Sequence, residues 1–83
     1  MPYYVYMLVC ISSVNKRTYV GYTSNLKNRL NNHNSNKGAK YTKGNKWKII
    51  YKKKFLSKKK AMSYEYILKH DRKKRLKIYN NYK

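Results

Sequence analysis

The chain has 83 residues, enough for one domain with a small core and too few for a separate DNA-reading domain. Its 22 Lys and Arg residues against 2 acidic residues give a net charge of +20, which predicts attraction to polyanions and above all to nucleic acid. An AT-rich genome is an alternative source of so many Lys and Asn residues, but a domain with this charge still binds phosphate backbones non-specifically. The aromatic content of 16%, mostly Tyr, argues against a disordered chain.

The apolar residues indicate a reducing, non-membrane environment. The single cysteine, Cys10, lies in the most apolar run, which predicts a buried thiol and not a disulfide. No apolar stretch approaches the length of a membrane span, and no signal peptide precedes the first predicted strand. We therefore expect a cytoplasmic protein, or one that acts inside a host cell, without a membrane partner. Its oligomeric state is left open.

The first two predicted strands form a hairpin. Residues 3–11 are apolar on both faces, which predicts a central strand, and residues 17–22 are its predicted partner. Each of these strands contains a tyrosine near its middle, Tyr6 and Tyr19, and the two side chains can form one site only if they lie on the same face of the sheet. In an antiparallel pair, this requires a connecting loop with an even number of residues, or a bulge.

A helix is predicted for residues 25 to about 35, with Ser24 as its N-cap. At about 100° per residue, one helix face is shared by Leu26, Arg29, Leu30 and His33. An arginine on the core-facing side of a helix is costly unless an anion meets it. The pattern therefore predicts that this helix holds Arg29 and His33 over a site.

A loop, a third strand and a second helix complete the predicted fold. Residues 38–44 have a glycine at each end, as is typical of a loop. Residues 47–55 predict a strand with Trp47, Ile49 and Tyr51 on one face and a basic end at 52–54. Ser57 is the predicted N-cap of a helix that continues to about His70, with one face formed by Ala61, Tyr64, Glu65 and Leu68. Residues 71–83 are basic and predicted to be partly helical.

These elements resemble the GIY-YIG nuclease domain in their order and in several short motifs. The second half of the family signature reads Tyr19-Val20-Gly21, and the first half is degenerate, with its tyrosine at Tyr6. The family's spacing is also found in Gly21, Thr23, Arg29 and His33. Residues 38–44 and 61–65 are similar to those of small single-domain bacterial members and of the junction-cutting branch, which suggests DNA repair. The resemblance covers about residues 3–70.

The resemblance implies an α/β fold in which a small mixed three-stranded sheet is flanked by helices, in the order β-β-α-β-α. One domain would then occupy residues 1–83, with a basic tail from about residue 71. It also implies a metal-dependent endonuclease that hydrolyses DNA with one Mg²⁺ or Mn²⁺ ion. Without an evident base-reading element, we expect low sequence specificity.

The resemblance also assigns roles to individual residues. Tyr19 is the proton acceptor for the attacking water, although a free tyrosine has a pKa of about 10 and needs nearby cations for that task. Tyr6 orients water or phosphate, and Arg29 clamps the scissile phosphate. His33 is a second phosphate donor or a proton relay. Gly21 permits close approach of the following helix or the substrate. The predicted nucleic-acid contacts are Lys40, Thr42, Lys43, Lys52 and Lys69.

Glu65 is the only glutamate and lies on the apolar face of its helix. Two interpretations compete: a salt bridge to Arg29, or a metal ligand. The resemblance favours the metal, with waters and substrate phosphate filling the remaining positions around the ion.

The scarcity of acidic residues excludes other hydrolytic centres. A two-metal nuclease needs several carboxylates, and Asp71 lies six residues beyond Glu65, about 240° around a continuous helix. Two histidines with one cysteine do not make a zinc site, and no Gly-rich phosphate loop is present. A non-catalytic nucleic-acid-binding protein on the same fold remains the rival hypothesis. An interaction or inhibitor protein fits the size but leaves the core-facing Arg29 and Glu65 unexplained.

Overall fold

The structure, a computed structural model, describes residues 2–12 and 17–82. Its elements in chain order are β1 (Tyr3–Cys10), β2 (Thr18–Thr23), α1 (Leu26–Asn34), a 3₁₀ turn (Lys40–Thr42), β3 (Trp47–Phe55), α2 (Lys58–His70) and α3 (Arg72–Tyr82). The predicted α/β class and the order of the elements are confirmed. None of the helices in the two described ranges is long and apolar enough to cross a membrane.

The sheet has three strands in the order β2-β1-β3. The predicted mixed sheet is antiparallel in both of its pairs. β1 lies in the centre, and its residues from Val5 to Cys10 are all buried. This agrees with the prediction of a central strand that is apolar on both faces, because such a strand is covered from both sides.

The hairpin places Tyr6 and Tyr19 on one face of the sheet. Tyr6 pairs with Gly21 and Leu8 pairs with Tyr19, without interruption of the register between β1 and β2. Since Leu8 is two residues from Tyr6, its cross-strand partner Tyr19 shares the face of Tyr6. The register therefore meets the parity requirement without a bulge, because an even number of residues, eight, separates the paired residues Val9 and Thr18.

A bulge does occur on the other side of β1. Met7 pairs with Tyr51 and Leu8 pairs with Ile49, so Ile50 is an extra residue in β3. Trp47 and Ile49 pack on the face of Tyr6, whereas Tyr51 packs on the opposite face. The prediction that Trp47, Ile49 and Tyr51 share one face is therefore wrong, because the bulge reverses the alternation.

Helices cover both faces of the sheet. On the face of Tyr6, α1 packs Leu26 and Leu30 against a buried cluster formed by Tyr6, Leu8, Cys10 and Trp47. On the opposite face, α2 packs against the sheet with its fully buried Ala61 and Leu68. Ile78 of α3 joins this second cluster, so the basic segment beyond residue 71 is packed against the core. The predicted inward faces of α1 and α2 are confirmed.

The helix termini follow capping rules with one change from prediction. Asn25, not Ser24, caps α1 by accepting a hydrogen bond from the Asn28 amide at 3.1 Å. Ser57 caps α2 as predicted. Both Ser24 and Asn25 are good cap residues, so only the backbone conformation of Asn25 decides between them.

We expect Leu68→Ala to destabilise the fold by about 2–5 kcal/mol, because it removes a fully buried side chain that fixes α2 on the sheet. Ile67→Ala on the same helix turn is the matched control, since Ile67 is 56% exposed. Urea denaturation measures both free energies of unfolding, and the control should stay within about 0.5 kcal/mol of the parent. Equal losses in the two variants would contradict the assigned packing.

Candidate active site

The side chain of Tyr6 crosses the edge strand β2 above Gly21. A Cβ atom at position 21 would lie 2.5 Å from the Tyr6 hydroxyl oxygen and 2.8 Å from Cζ. The absence of a side chain at Gly21 therefore creates the space for this ring. The resemblance implies that Gly21 permits approach of the following helix or the substrate, whereas the group that approaches Gly21 in the structure is the ring of Tyr6.

A directed chain of hydrogen bonds starts at α1 and ends in the loop before β3. Thr42 Oγ1 donates to the Ala39 carbonyl at 2.7 Å, so it accepts from His33 Nδ1 at 2.9 Å. The other nitrogen of His33, Nε2, then carries no proton and accepts from the Tyr6 hydroxyl at 2.9 Å. The Tyr6 oxygen in turn accepts from Arg29 Nε at 3.3 Å. Each link thus determines the direction of the next.

The loop before β3 closes over His33. His33 and Thr42 are both completely buried, and a Cβ at Gly38 would lie 2.5 Å from His33 Nδ1. The Trp47 indole nitrogen donates to the Thr42 carbonyl at 3.0 Å and fixes the loop. The prediction that Thr42 contacts nucleic acid is therefore wrong, since a residue without accessible surface cannot reach a phosphate. Thr42 instead sets the tautomer of His33.

Burial determines the protonation states of Tyr6 and His33. It raises the pKa of Tyr6 to about 12, although the hydrogen bond and charge of Arg29 act in the opposite direction. Burial and then the charge of Arg29 lower the pKa of His33 to about 4. At neutral pH, Tyr6 is thus a protonated donor and His33 is neutral. Because both nitrogens of His33 bind protein groups, its predicted alternative role as a direct phosphate donor conflicts with this geometry.

Tyr19 stands beside this pair but faces an open groove. Its ring centroid lies 5.0 Å from that of His33 and 6.4 Å from that of Tyr6. The groove has a volume of about 450 Å³ and is lined by Thr18, Tyr19, Val20, Tyr41, Lys69 and Arg75. The hydrogen bond to Tyr6 raises the pKa of Arg29, and Tyr19 contributes in the same direction, so the guanidinium lies near both tyrosines.

Glu65 reaches the site from a different layer. It belongs to α2, on the opposite face of the sheet from α1, and its side chain is 19% exposed. Its Oε1 lies 3.7 Å from Nζ of Lys69, which lines the groove, and its charge contributes to the raised pKa of Tyr6. In the part of the chain that the structure describes, this is the only ion pair, so the predicted salt bridge to Arg29 is not formed.

The structure thus brings Tyr6, Tyr19, Arg29 and His33 into one cluster and places Glu65 beside it without a direct hydrogen bond among the described residues. The predicted cleft is only partly open, because Tyr6 and His33 are buried. The four predicted nucleic-acid-binding lysines all have exposed side chains: Lys40, Lys43, Lys52 and Lys69.

Sequence reasoning missed four contributors to the site. Gly38 makes room for His33, and Arg17, Tyr41 and Arg75 lie in or beside the groove. The glycine at the start of the predicted loop was the available signal for Gly38. The local sequence pattern does not distinguish the other three, Arg17, Tyr41 and Arg75, from the many other Lys, Arg and Tyr residues of the chain.

Glu65 supplies one carboxylate at the border of the groove, and this residue is the candidate metal ligand. Within residues 2–12 and 17–82, no group of three or more His, Cys, Asp or Glu side chains forms a closed metal cage. A single carboxylate suits Mg²⁺ or Mn²⁺, because these ions keep several waters and accept substrate phosphate oxygens. Zinc, which prefers nitrogen and sulfur ligands, does not fit this residue set.

Comparison with known proteins identifies the family to which this fold belongs. The family model described as the GIY-YIG catalytic domain matches residues 2–82. The chain belongs to this nuclease family, for which nucleic acid is the implied substrate.

Several relatives carry the name UPF0213 protein. One from Oceanobacillus iheyensis is 46% identical over 68 residues, covering 81% of this chain and 76% of the relative. Another from Pediococcus acidilactici is 41% identical over 83 residues, covering 95% and 82% of the two chains. The solution NMR structure of a UPF0213 protein from Bacillus halodurans is 38% identical, with a TM-score of 0.57 and coverage of 96% of this chain and 84% of that one.

We expect Gly21→Ala to displace the Tyr6 ring and lower the free energy of unfolding by about 1–3 kcal/mol, because the added methyl group overlaps Tyr6. Thermal melting measures the loss, and the His33 ring ¹⁵N shifts report the broken hydrogen bond. Gly44→Asn is the control: Gly44 has open space and a φ of +83°, which asparagine tolerates. Unchanged His33 shifts in Gly21→Ala would contradict the assigned contact.

The low pKa of His33 predicts acid destabilisation. The folded value of about 4 lies below the ordinary value of about 6.5, so the unfolded chain binds the extra proton first. Stability should fall as pH drops from about 6.5 to 4, by on the order of 3 kcal/mol from this residue. Urea denaturation at several pH values should show a weaker pH dependence in His33→Gln than in the parent, with a substitution of the exposed histidine, His70→Gln, measured beside it as the matched control. Equal dependence in the parent and His33→Gln would refute the assignment.

Proposed function

We propose that the protein is a metal-dependent endonuclease that hydrolyses DNA by a single-metal mechanism, with Tyr19 as the general base. The observation that carries this proposal is the unequal environment of the two site tyrosines. Tyr6 is buried and held as a hydrogen-bond donor by His33, whereas Tyr19 lines the open groove. Only Tyr19 is therefore accessible to a water that attacks a phosphate in the groove.

In this mechanism, Arg29 binds the scissile phosphate. Its Nε atom is engaged by Tyr6, so its terminal Nη groups are the donors that remain for phosphate oxygens. Its guanidinium lies near Tyr19, so the phosphate that it binds would lie beside the proposed general base. A guanidinium that is fixed in advance also lowers the cost of ordering the site during reaction.

Tyr6 and His33 act as positioning residues. Neutral His33 accepts from Tyr6, which leaves the Tyr6 oxygen free to accept from Arg29. If His33 were protonated, Nε2 could no longer accept, and Tyr6 would lose the partner that determines its direction. The pair therefore maintains the orientation of Arg29 without touching the substrate.

Glu65 is the residue that would hold one Mg²⁺ or Mn²⁺ ion, with waters and phosphate oxygens as the other ligands. When bound, such an ion supplies charge stabilisation to the phosphate in the transition state. Lys69, which lines the groove, pairs with Glu65 at 3.7 Å and so places this carboxylate at the border of the groove. The exposed Lys40, Lys43 and Lys52 are proposed to bind flanking phosphates of a DNA substrate with little sequence preference.

The alternative is a basic nucleic-acid-binding protein that retains the fold without cutting. The observation in its favour is that the one ion partner of Glu65 among the described residues is Lys69, a purely structural i,i+4 pair. A net charge of +20 is sufficient for binding phosphate backbones.

We expect Glu65→Gln to reduce cleavage by orders of magnitude while the protein melts normally and binds DNA at least as tightly. The change keeps the shape of the side chain and removes the carboxylate that would hold the metal. Cleavage of plasmid, single-stranded and branched DNA is measured with and without Mg²⁺, beside thermal melting and DNA binding of the same variant.

Asp71→Asn is a matched control, because Asp71 is the other acidic residue and the net charge rises equally. The Asp71 side chain accepts a hydrogen bond from the Lys74 amide at the start of α3, and the side-chain oxygen of asparagine can accept the same bond. It should leave cleavage unchanged. Full cleavage by a stable Glu65→Gln protein would remove the metal role, and DNA binding without cleavage by the parent on every substrate would favour the alternative.

A further inference from the structure

Tyr41 is exposed at the border of the groove, next to the buried Thr42. Its side chain is 48% exposed, whereas Thr42 has no accessible surface. Tyr41 lines the same groove as Tyr19. None of the catalytic roles proposed above uses this aromatic ring. An exposed aromatic side chain in a groove that receives nucleic acid requires an explanation beyond core packing.

The ring of Tyr41 is held in a fixed orientation. It stacks on Tyr19 with centroids 6.1 Å apart and planes inclined by 25°, and its centroid lies 6.1 Å from that of the Trp47 ring, with planes inclined by 40°. The Arg17 guanidinium carbon lies 4.5 Å from the ring centroid, and its Nη2 donates to the Tyr41 carbonyl at 3.3 Å. The ring thus already receives a flat, delocalised cation on one of its faces.

Cations flank the ring on the groove side. Lys69 and Arg75 line the groove with Tyr41, and Arg75 is fixed by hydrogen bonds from its Nη1 to the carbonyls of Leu68 and Lys69. An aromatic ring between cationic side chains is the arrangement with which proteins hold single-stranded nucleic acid, since bases stack on the ring while cations bind the backbone.

We propose that Tyr41 is the stacking platform for one unpaired nucleobase next to the phosphate that Tyr19 and Arg29 process. A base stacked on Tyr41 replaces the Arg17 guanidinium, which then binds the phosphate of the same nucleotide. The substrate class is DNA with at least one unpaired nucleotide at the cleaved step, such as a flap, a bulge or a single strand. The location beside the cleaved bond rests on the proposed nuclease function, whereas the stacking contact itself does not.

A purely structural role for Tyr41 predicts a different effect of removing its ring. If the ring only covers Tyr19 and Trp47, its loss should weaken the fold and affect every DNA substrate to the same extent. If it stacks on a base, its loss should weaken binding of unpaired DNA selectively. Tyr41→Phe and Tyr41→Trp keep a stacking ring, and Tyr41→Leu removes it, so the three variants separate the two roles.

The test uses DNA oligonucleotides that carry 2-aminopurine at one unpaired position, with a chelator present to prevent cleavage. Stacking on an aromatic ring quenches this fluorophore. We expect position-specific quenching by the parent, Tyr41→Phe and Tyr41→Trp, and its loss in Tyr41→Leu. The affinity of Tyr41→Leu for unpaired DNA should fall roughly 5- to 100-fold, while its affinity for blunt duplex changes little.

Tyr66→Leu is the matched control, because Tyr66 is 64% exposed and also packs on a neighbouring ring, that of His70, outside the groove. It should leave quenching and both affinities unchanged. The proposal is overturned if the parent produces no position-specific quenching, a result that needs no variant to fold. Equal loss of duplex and unpaired binding in a folded Tyr41→Leu protein would also overturn it.

A cleavage arm separates this inference from the proposed function. Parent protein with Mg²⁺ is expected to cut flap and single-stranded DNA in preference to duplex, and Tyr41→Leu should lose most of that preference. Quenching that depends on Tyr41 without any cleavage would sink the nuclease proposal and retain the stacking site. Cleavage with no dependence on Tyr41 would do the reverse.

Discussion

The hydrogen bond that Tyr6 donates to His33 Nε2 at 2.9 Å fixes the relation between the sheet and α1. It can form only because two glycines leave space: Gly21 beneath the Tyr6 ring and Gly38 against His33 Nδ1. It also requires the hairpin register that directs Tyr6 toward α1. Because both partners are buried, an unmatched donor or acceptor here would cost the full desolvation of that group. The same requirement determines the position of the loop before β3. Thr42 must lie beside His33 to accept from its other nitrogen, and the Trp47 indole holds Thr42 there.

This buried pair divides the site into a fixed inner half and an accessible outer half. The inner half has no ionisation near neutral pH, with pKa values of about 12 for Tyr6 and about 4 for His33. Arg29 connects the halves, since it donates to Tyr6 and lies near Tyr19. In the proposed mechanism, proton transfer is confined to Tyr19, because it is the site tyrosine that the groove exposes.

The periodicity of apolar residues in the sequence predicts most of the fold. The inward faces of α1 and α2 follow from helical spacing, and the shared face of Tyr6 and Tyr19 reduces to the parity of a loop length. The bulge at Ile50 had no such signal, because isoleucine suits either face of a strand and the reversal depends on the partner register of β1. The family resemblance places Thr42 among the predicted nucleic-acid contacts, whereas the structure buries this residue completely. Its burial results from a tertiary hydrogen bond to His33, which no local pattern contains.

The sheet keeps Glu65 apart from Arg29. With 22 basic residues and 2 acidic ones, a carboxylate on the same face as Arg29 would pair with it directly, and the two groups would neutralise each other. Instead, α2 and α1 lie on opposite faces of the sheet, and Glu65 pairs loosely with Lys69 at 3.7 Å. An i,i+4 pair on a helix is worth roughly 0.3–0.5 kcal/mol, so this pair holds the Glu65 carboxylate only weakly. In the proposed mechanism, this separation leaves the Arg29 guanidinium available for phosphate and the Glu65 carboxylate available for a metal ion, whereas a direct Arg29–Glu65 pair would occupy both groups.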